Sequence, residues 1–323
     1  MAKPPKEITM RDLHAAEDLQ AEMIKTPVVL PKAGMRHSIR PRRALIEAMD
    51  AQDIDQQDTA RVLPARVKPQ PSDIRQPALP KSYAPDTNLP RWHELDHIEP
   101  GTSRKDDTAL PVVDASRDSA SVRAFDQLRT RLRQITQEHG WTNIGITTPT
   151  SGCGNTFTAM NLALSLSRVK GSRTVLMDFN LRRPGIAKAF DITPRGSMRD
   201  FLMGHAPIGD HMIKVSETLA LGLNNCADPE AAETLQSPET AHTMERMRAA
   251  LQPEIVLYDM PAMLTHDDVS AYLPQLDGVL LVSDGTQTMG RELMECERML
   301  NDQVPLLGVV LNRARADSIQ RYS

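Results

Sequence analysis

One stretch constrains this chain more than any other: an apolar run that leads into a glycine-containing loop and then into a helical pattern. The run covers residues 143–148, the loop covers 149–154, and apolar residues recur at helical spacing from 158 to 167. A strand, a glycine loop and a helix in that order form phosphate-binding loops, because backbone N–H groups and the helix N-terminus then face the anion. The sequence therefore predicts such a loop.

The residues after the last glycine decide what the loop can bind. A lysine there normally reaches the β- and γ-phosphates, and a following Ser or Thr holds Mg²⁺. This chain has Asn155 in the lysine position and Thr156 in the metal position. We therefore expect a phosphate cradle that lacks one positive charge. The residues predicted to form the cradle are Gly152, Cys153, Gly154, Asn155, Thr156 and Phe157.

Four further apolar runs, at 173–178, 255–259, 278–283 and 306–312, alternate with helical patterns. This alternation is typical of parallel strands covered on both faces, and it predicts an α/β, P-loop NTPase-like parallel sheet with helices on both faces. Two runs close on Asp178 and Asp259. Because the carboxyl ends of parallel strands meet at one edge, we expect both acids to lie beside the loop as catalytic groups. The expected metal-binding groups are these two acids and Thr156. The alternative, strand-end acids satisfied by backbone N–H groups, stays open.

Composition narrows the functional classes. The chain has 323 residues, which suggests about two domain-sized pieces, and its net charge of −4 gives no reason to expect nucleic-acid binding. Its three cysteines lack metal-site spacing and suit a reducing compartment. No signal peptide and no long apolar run is visible, so we expect a cytoplasmic protein.

The N-terminal part differs in composition from the rest. More than half of the 24 prolines fall within residues 1–115, with only Gly34 and Gly101 as glycines. Such a segment buries too little apolar surface to offset chain ordering, so residues 1–115 are predicted to be a mostly disordered arm with short helices. One of these, at 10–24, is a candidate docking peptide. Residues 116–323 are predicted to form the folded domain, with nothing before about residue 110 in its core.

Several motifs in order give the domain a family resemblance. A helix predicted at 121–135 carries the segment 124–130, Asn161-Leu162-Ala163 follows the loop, and Asp178 opens Asp-Phe-Asn-Leu-Arg-Arg-Pro. Segments 196–204 and 232–237 and the motif Asp259-Met260-Pro261 complete the set. Residues 120–313 thereby resemble the cytoplasmic bacterial tyrosine kinases of capsule and exopolysaccharide biosynthesis, relatives of the MinD/ParA P-loop ATPases.

The resemblance implies an ATP- or ADP-binding site with Mg²⁺, in which Asp178 and Asp259 are the Walker acids and Arg182 lies beside the nucleotide. It also implies a membrane-embedded chain-length or export protein as partner, peripheral attachment to the membrane through that partner, and homo-oligomers formed through the 121–135 helix. Those helix contacts are altered here, since Arg123 and Asp126 exchange the family's charge signs. Opposite charges three residues apart can still pair along a helix.

Three functions are compatible with these features. Asn155, Asn180 in place of a second acid, and Tyr322 as the only tail tyrosine favour a regulatory family member with weakened or absent catalysis. An active protein-tyrosine kinase is the runner-up. A partition ATPase of the MinD/ParA type is less favoured, because Thr150 occupies the position of its second lysine and no amphipathic helix follows Asn312. For Cys153, a redox-sensitive thiol is the alternative to a small filler residue.

Overall fold

The structure of the protein is a computed structural model that describes residues 89–100 and 119–313. Within these ranges, seven strands form one sheet in the order β3-β4-β2-β5-β1-β6-β7. The strands are β1 (Asn143–Thr148), β2 (Thr174–Asp178), β3 (Met212–Ser216), β4 (Leu219–Gly222), β5 (Ile255–Ala262), β6 (Gly278–Asp284) and β7 (Leu306–Asn312). The five predicted strands are all present, and they pair in parallel.

Strands β3 and β4, at one end of the sheet, were not predicted, and β3 runs antiparallel to β4. The hydrophobic pattern does not predict them, because both strands are short and Lys214 interrupts the apolar run of β3. The predicted parallel sheet therefore needs one correction: it ends in an antiparallel hairpin. The core prediction of a parallel α/β sheet is confirmed.

Helices cover both faces of the sheet, as predicted. They are α1 (Ala120–His139), α2 (Asn155–Ser167), α3 (Ile186–Phe190), α4 (Met198–Leu202), α5 (Ile208–His211), α6 (Ala231–Gln236), α7 (Pro238–Leu251), α8 (Asp268–Tyr272) and α9 (Gly290–Leu300), with 3₁₀ turns at Trp92–Glu94 and Leu273–Gln275. Leu128 of α1 and Leu162 of α2 belong to the apolar core on one face. Met244 of α7 and Val269 of α8 belong to the core on the other.

Helix boundaries place the loop at a helix N-terminus. The helix α1 extends the predicted 121–135 segment to His139, where Gly140 ends it in the left-handed conformation (φ 68°). The helix α2 begins at Asn155, three residues before the apolar pattern starts. Its first turn is polar, so the hydrophobic period could not reveal that Asn155 and Thr156 are already helical.

Residues 89–100, which we call the strap, correct one expectation. Trp92 and Leu95 are 4% and 3% exposed and belong to the domain core, so the expectation that nothing before about residue 110 joins the core is wrong for them. Two widely spaced apolar anchors in a proline-rich segment give no periodic signal. The boundary at 115/116 stays a prediction. The 10–24 segment and Tyr322 lie outside the described residues.

Among the described residues, no helix combines the length and apolar character needed to cross a membrane.

Candidate functional site

The loop between β1 and α2 takes the shape that its glycines allow. Gly152 and Gly154 have φ values of 86° and 93°, the left-handed region in which side chains with a Cβ are strained. At Gly154 a Cβ would also overlap Asn312 Nδ2. The backbone angle therefore favours glycine at position 154, and a side chain there would also displace the Asn312 amide.

The outer wall of the loop is held by residues that sequence reasoning missed. Asn312 Nδ2 donates a hydrogen bond to Cys153 O at 2.9 Å, and Arg313 Nη1 donates to Gly152 O at 3.0 Å. Arg313 Nη1 also pairs with Asp284 Oδ2 at 2.7 Å. The available signal was the polar residues that end β6 and β7 at the carboxyl edge of the sheet. These contacts fix two loop carbonyls.

The two residues that open α2 bind the acid that ends the apolar part of β5. Asn155 Nδ2 donates to Asp259 Oδ1 at 3.0 Å and to Met260 O at 2.6 Å. Thr156 Oγ1 donates to Asp259 Oδ2 at 2.7 Å. Both oxygens of Asp259 are therefore bonded within the chain, and the side chain in the lysine position is directed at β5.

Asp178 at the end of β2 is only half satisfied. Its Oδ2 accepts hydrogen bonds from the backbone N–H groups of Gly185 and Ile186, both at 3.0 Å. Its Oδ1 is buried without a hydrogen-bond partner. Backbone groups therefore satisfy one oxygen of Asp178, and its role as a catalytic and metal-binding group stays a prediction.

The two acids stand opposite each other on adjacent strands, since Asp178 is the register partner of Asp259, and both are 0% exposed. Burial raises the pKa of Asp178 to about 7, against the lowering effect of the Ile186 and Gly185 N–H groups. Burial, and then the nearby Asp178 charge, raises the pKa of Asp259 well above its usual value. The pair therefore favours holding a proton or a cation between the strands.

Three other predicted site residues are engaged elsewhere. The Arg182 guanidinium forms a two-pronged ion pair with buried Asp268, with Nη2 2.9 Å from Oδ1 and Nε 2.9 Å from Oδ2. Phe157 packs edge-on against Phe125, with ring centroids 6.1 Å apart. Cys153 is buried, and its Sγ contacts hydroxyls on either side at 3.6 Å. Their nucleotide-contacting roles stay predictions, and the burial of Cys153 favours its reading as a small filler.

The described residues fit a nucleotide and a magnesium ion unequally. The unbonded Asp178 Oδ1, Asp259 and Thr156 are oxygen donors of the kind Mg²⁺ prefers, and the glycine loop at a helix N-terminus suits phosphates. The position that normally supplies a cation to the phosphates is a neutral amide bonded to Asp259. No cluster of three or more His, Cys, Asp or Glu side chains suited to a metal occurs within 89–100 and 119–313.

The fold of the described residues is similar to that of bacterial tyrosine-kinase domains. The kinase domain of the Escherichia coli tyrosine kinase ETK has the same fold, with a TM-score of 0.58 at 21% identity over 67% of this chain and 88% of that one. No protein-family model matches the sequence.

Two relatives are similar to this chain in sequence. The chain is 28% identical over 258 residues to the succinoglycan biosynthesis transport protein ExoP of Rhizobium meliloti, covering 73% of this chain and 32% of ExoP. It is 28% identical over 200 residues to the putative tyrosine-protein kinase EpsB of Ralstonia solanacearum, covering 60% of this chain and 26% of EpsB. The chain thus spans about a third or less of these relatives. The resemblance to the tyrosine kinases of exopolysaccharide biosynthesis is confirmed.

Proposed function

We propose that this chain acts in exopolysaccharide or capsule biosynthesis as a P-loop, tyrosine-kinase-like subunit with weakened or absent catalysis and a regulatory role. The relative ExoP, a succinoglycan biosynthesis transport protein, supports the pathway, and the putative tyrosine-protein kinase EpsB supports the kinase-like class. The geometry of the loop supports the altered activity. The observation that carries the proposal is Asn155, whose amide is bonded to Asp259 and Met260 O.

The chemistry of phosphoryl transfer explains why this one residue matters. The transferred group spreads negative charge over its oxygens, and a positioned cation stabilises that charge in the transition state. A charged hydrogen bond contributes about 1.5–3 kcal/mol to binding, and a neutral amide supplies less. With Asn155 in this position, the loop retains its backbone N–H donors but lacks the positive charge that would stabilise the transferred phosphoryl group.

Bound nucleotide would be held by the backbone of residues 152–156, and Mg²⁺ by Thr156, Asp178 and Asp259. The metal would supply charge neutralisation to the phosphates. This chain's own residues would orient the phosphates and hold a proton on the Asp178–Asp259 pair until a cation displaces it. Asn180 offers no second carboxylate, and its Oδ1 accepts from the Arg183 N–H at 3.3 Å.

The proposed partner is a membrane chain-length or polysaccharide export protein, which would keep the domain at the cytoplasmic face of the membrane. Homo-oligomers would use α1, whose charges are arranged differently from the sequence expectation. Asp126 pairs with Arg129 at 2.8 Å, and Ser165 of α2 donates to the same carboxylate. An interface through α1 would therefore use an acid already neutralised within the chain.

Calorimetric titration of the full chain with Mg-ATP and Mg-ADP tests this proposal. Because the cradle is present and the lysine is not, we expect dissociation constants of tens of micromolar or weaker, on the order of one charged contact below a complete site. Sub-micromolar affinity would show that the site is not weakened.

An active tyrosine kinase is the second candidate, and the buried Asp178–Asp259 pair with its unbonded Oδ1 favours it. Its signature is autophosphorylation of the unmodified chain that disappears in Asp259→Ala. We expect little phosphate incorporation above that of the Asp259→Ala variant.

A further inference from the structure

The outer edge of β3 is covered by the strap. Asp96 O accepts a hydrogen bond from the Lys214 N–H at 2.8 Å, and the Ile98 N–H donates to Lys214 O at 2.8 Å. His97 and Lys214 thereby form a parallel bridge. An edge strand with free N–H and C=O groups invites pairing with another chain, and here the strap occupies those groups around Lys214.

Side chains anchor the strap beside this backbone pairing. Trp92 is buried, its indole N–H donates to Glu217 O at 2.9 Å, and the Arg173 guanidinium lies 5.6 Å from the ring centroid. Leu95 is the second buried anchor. At the rim, Arg195 pairs with Asp96 at 2.8 Å. An extended segment with a Trp, a Leu three residues later and an adjacent acid is therefore recognised at several points.

Other strap residues add contacts that are less buried: Leu89 and Ile98 pack against the core, and His93 O accepts a hydrogen bond from Lys214 Nζ at 3.5 Å. The side chains of His93 and Glu94 are 71% and 51% exposed, and Asp96 is 65% exposed. Trp92 and Leu95 are thus the two buried anchors of a segment whose ordering costs conformational entropy at every residue. We expect the segment to detach as a unit when one of them is lost, while β3 keeps its pairing with β4.

We propose that the β3 edge is a peptide-docking surface and that the strap is its intramolecular ligand, exchangeable for the strap of a second copy of this chain. This proposal is independent of nucleotide chemistry. Residues 101–118 join the strap to α1, and a stretch of that length reaches at most roughly 60 Å when extended. The connection is therefore long enough to deliver a strap to a neighbouring copy as well as to its own edge.

Covalent connection keeps the wild-type edge filled. A tethered segment acts at an effective concentration that reaches the millimolar range, so a free peptide at micromolar concentration competes poorly with it. An edge whose own strap has lost its main anchor is open to a strap supplied by another molecule. This difference makes the proposal measurable in the full chain.

The test uses a fluorescently labelled peptide with the sequence of residues 89–100 and follows its anisotropy on titration with full-length protein. We expect saturable binding to Trp92→Ala and at least tenfold weaker binding to wild type. Full-length His93→Ala, which alters an exposed neighbour, should behave like wild type. A peptide carrying Trp92→Ala should not bind the open edge.

A second variant, full-length Ile98→Pro, removes the backbone donor to Lys214 O and the partly buried Ile98 side chain, and it keeps the buried anchors Trp92 and Leu95. It should also bind the peptide, and the Lys214 amide should exchange hydrogen faster in both variants and slow again when peptide is added. Either variant with wild-type circular dichroism and no peptide binding overturns the proposal. Global unfolding of both variants overturns it as well, because the strap would then be an inseparable part of the fold.

Discussion

The carboxyl edge of the central strands and the outer edge of β3 both carry polar groups that need hydrogen-bond partners, and the two edges supply those partners in different ways. At the carboxyl edge, buried carboxylates accept hydrogen bonds from side chains that are only partly buried or exposed: Asn155 and Thr156 donate to Asp259, and Arg313 donates to Asp284. At the β3 edge, backbone groups bond to the strap and apolar anchors hold it.

The difference concerns how each region responds to the loss of one member. Removing a partner from the carboxyl edge leaves a buried polar group or charge behind, which is costly. Removing an anchor from the β3 edge exposes surface that water can solvate. We therefore expect the first region to be stiff and sensitive, and the second to open locally.

The largest effect is expected at Arg182, whose removal leaves Asp268 as a buried, unpaired charge. Arg182→Ala should lower the free energy of unfolding by about 3 kcal/mol or more, measured by urea denaturation. The neighbouring Arg183→Ala, at an exposed position, should change it by less than about 0.5 kcal/mol. Unchanged stability with weaker nucleotide binding in Arg182→Ala would instead assign Arg182 to the nucleotide.

Truncation of the N-terminal part tests the second region, the outer edge of β3. A chain that begins at residue 89 keeps Trp92 and Leu95, whereas a chain that begins at 111 loses both anchors. The longer chain should match the full-length protein, and the shorter should lose about 2–3 kcal/mol, since burying such a side chain contributes about 1.5–3 kcal/mol before ordering is counted. Equal melting temperatures would mean that the strap adds nothing to stability.

Charge can be restored to the loop by Asn155→Lys. We expect Mg-ATP affinity to rise about tenfold to a hundredfold, the value of one charged hydrogen bond, as measured by calorimetry. Kinase activity should stay low, because Asn180 still replaces the second acid. Asn155→Ala is the control. It removes the hydrogen bond from the side-chain amide to Asp259 without adding charge, and it should not tighten nucleotide binding.

The smallest effect concerns pH, because the buried pair Asp178 and Asp259 acts in the opposite direction to the buried His211. Asp178, with its pKa raised from 3.8 to about 7, keeps a proton that the unfolded chain has released, so its contribution to stability falls as pH rises between these values. Burial lowers the pKa of His211 from 6.5 to about 4, so its contribution rises with pH over that window. We expect a net change on the order of 1 kcal/mol.

Variants separate the acid pair from the histidine. The Asp178→Asn, Asp259→Asn double variant should leave stability that increases from pH 4 to 7, and His211→Phe should leave stability that decreases over the same range. Thermal melts at half-unit pH steps measure both slopes. The same slope in both variants would show that neither group titrates as described.

The sequence revealed the parts of the molecule that repeat a pattern or follow a motif. Long apolar strands and the acids that end them were visible because neighbours along the chain define them, as for Asp178 and Asp259. Contacts between residues distant in sequence were not visible. The residues around Arg182 do not predict its ion pair with Asp268, and those around Gly152 do not predict its hydrogen bond from Arg313. The strap escaped for a third reason, since its two anchors follow no helical or strand period.

Arg313 gives the end of β7 a mechanical meaning. The same residue that bonds Gly152 O carries the main chain onward in a left-handed turn, with φ of 51°. A force applied to the chain just beyond Arg313 would be transmitted to the glycine loop through the Arg313 side chain and its hydrogen bond to Gly152 O. A tag or fluorophore attached near residue 313 would thus perturb or report the loop, whereas one attached before the strap would act on the opposite border of the sheet.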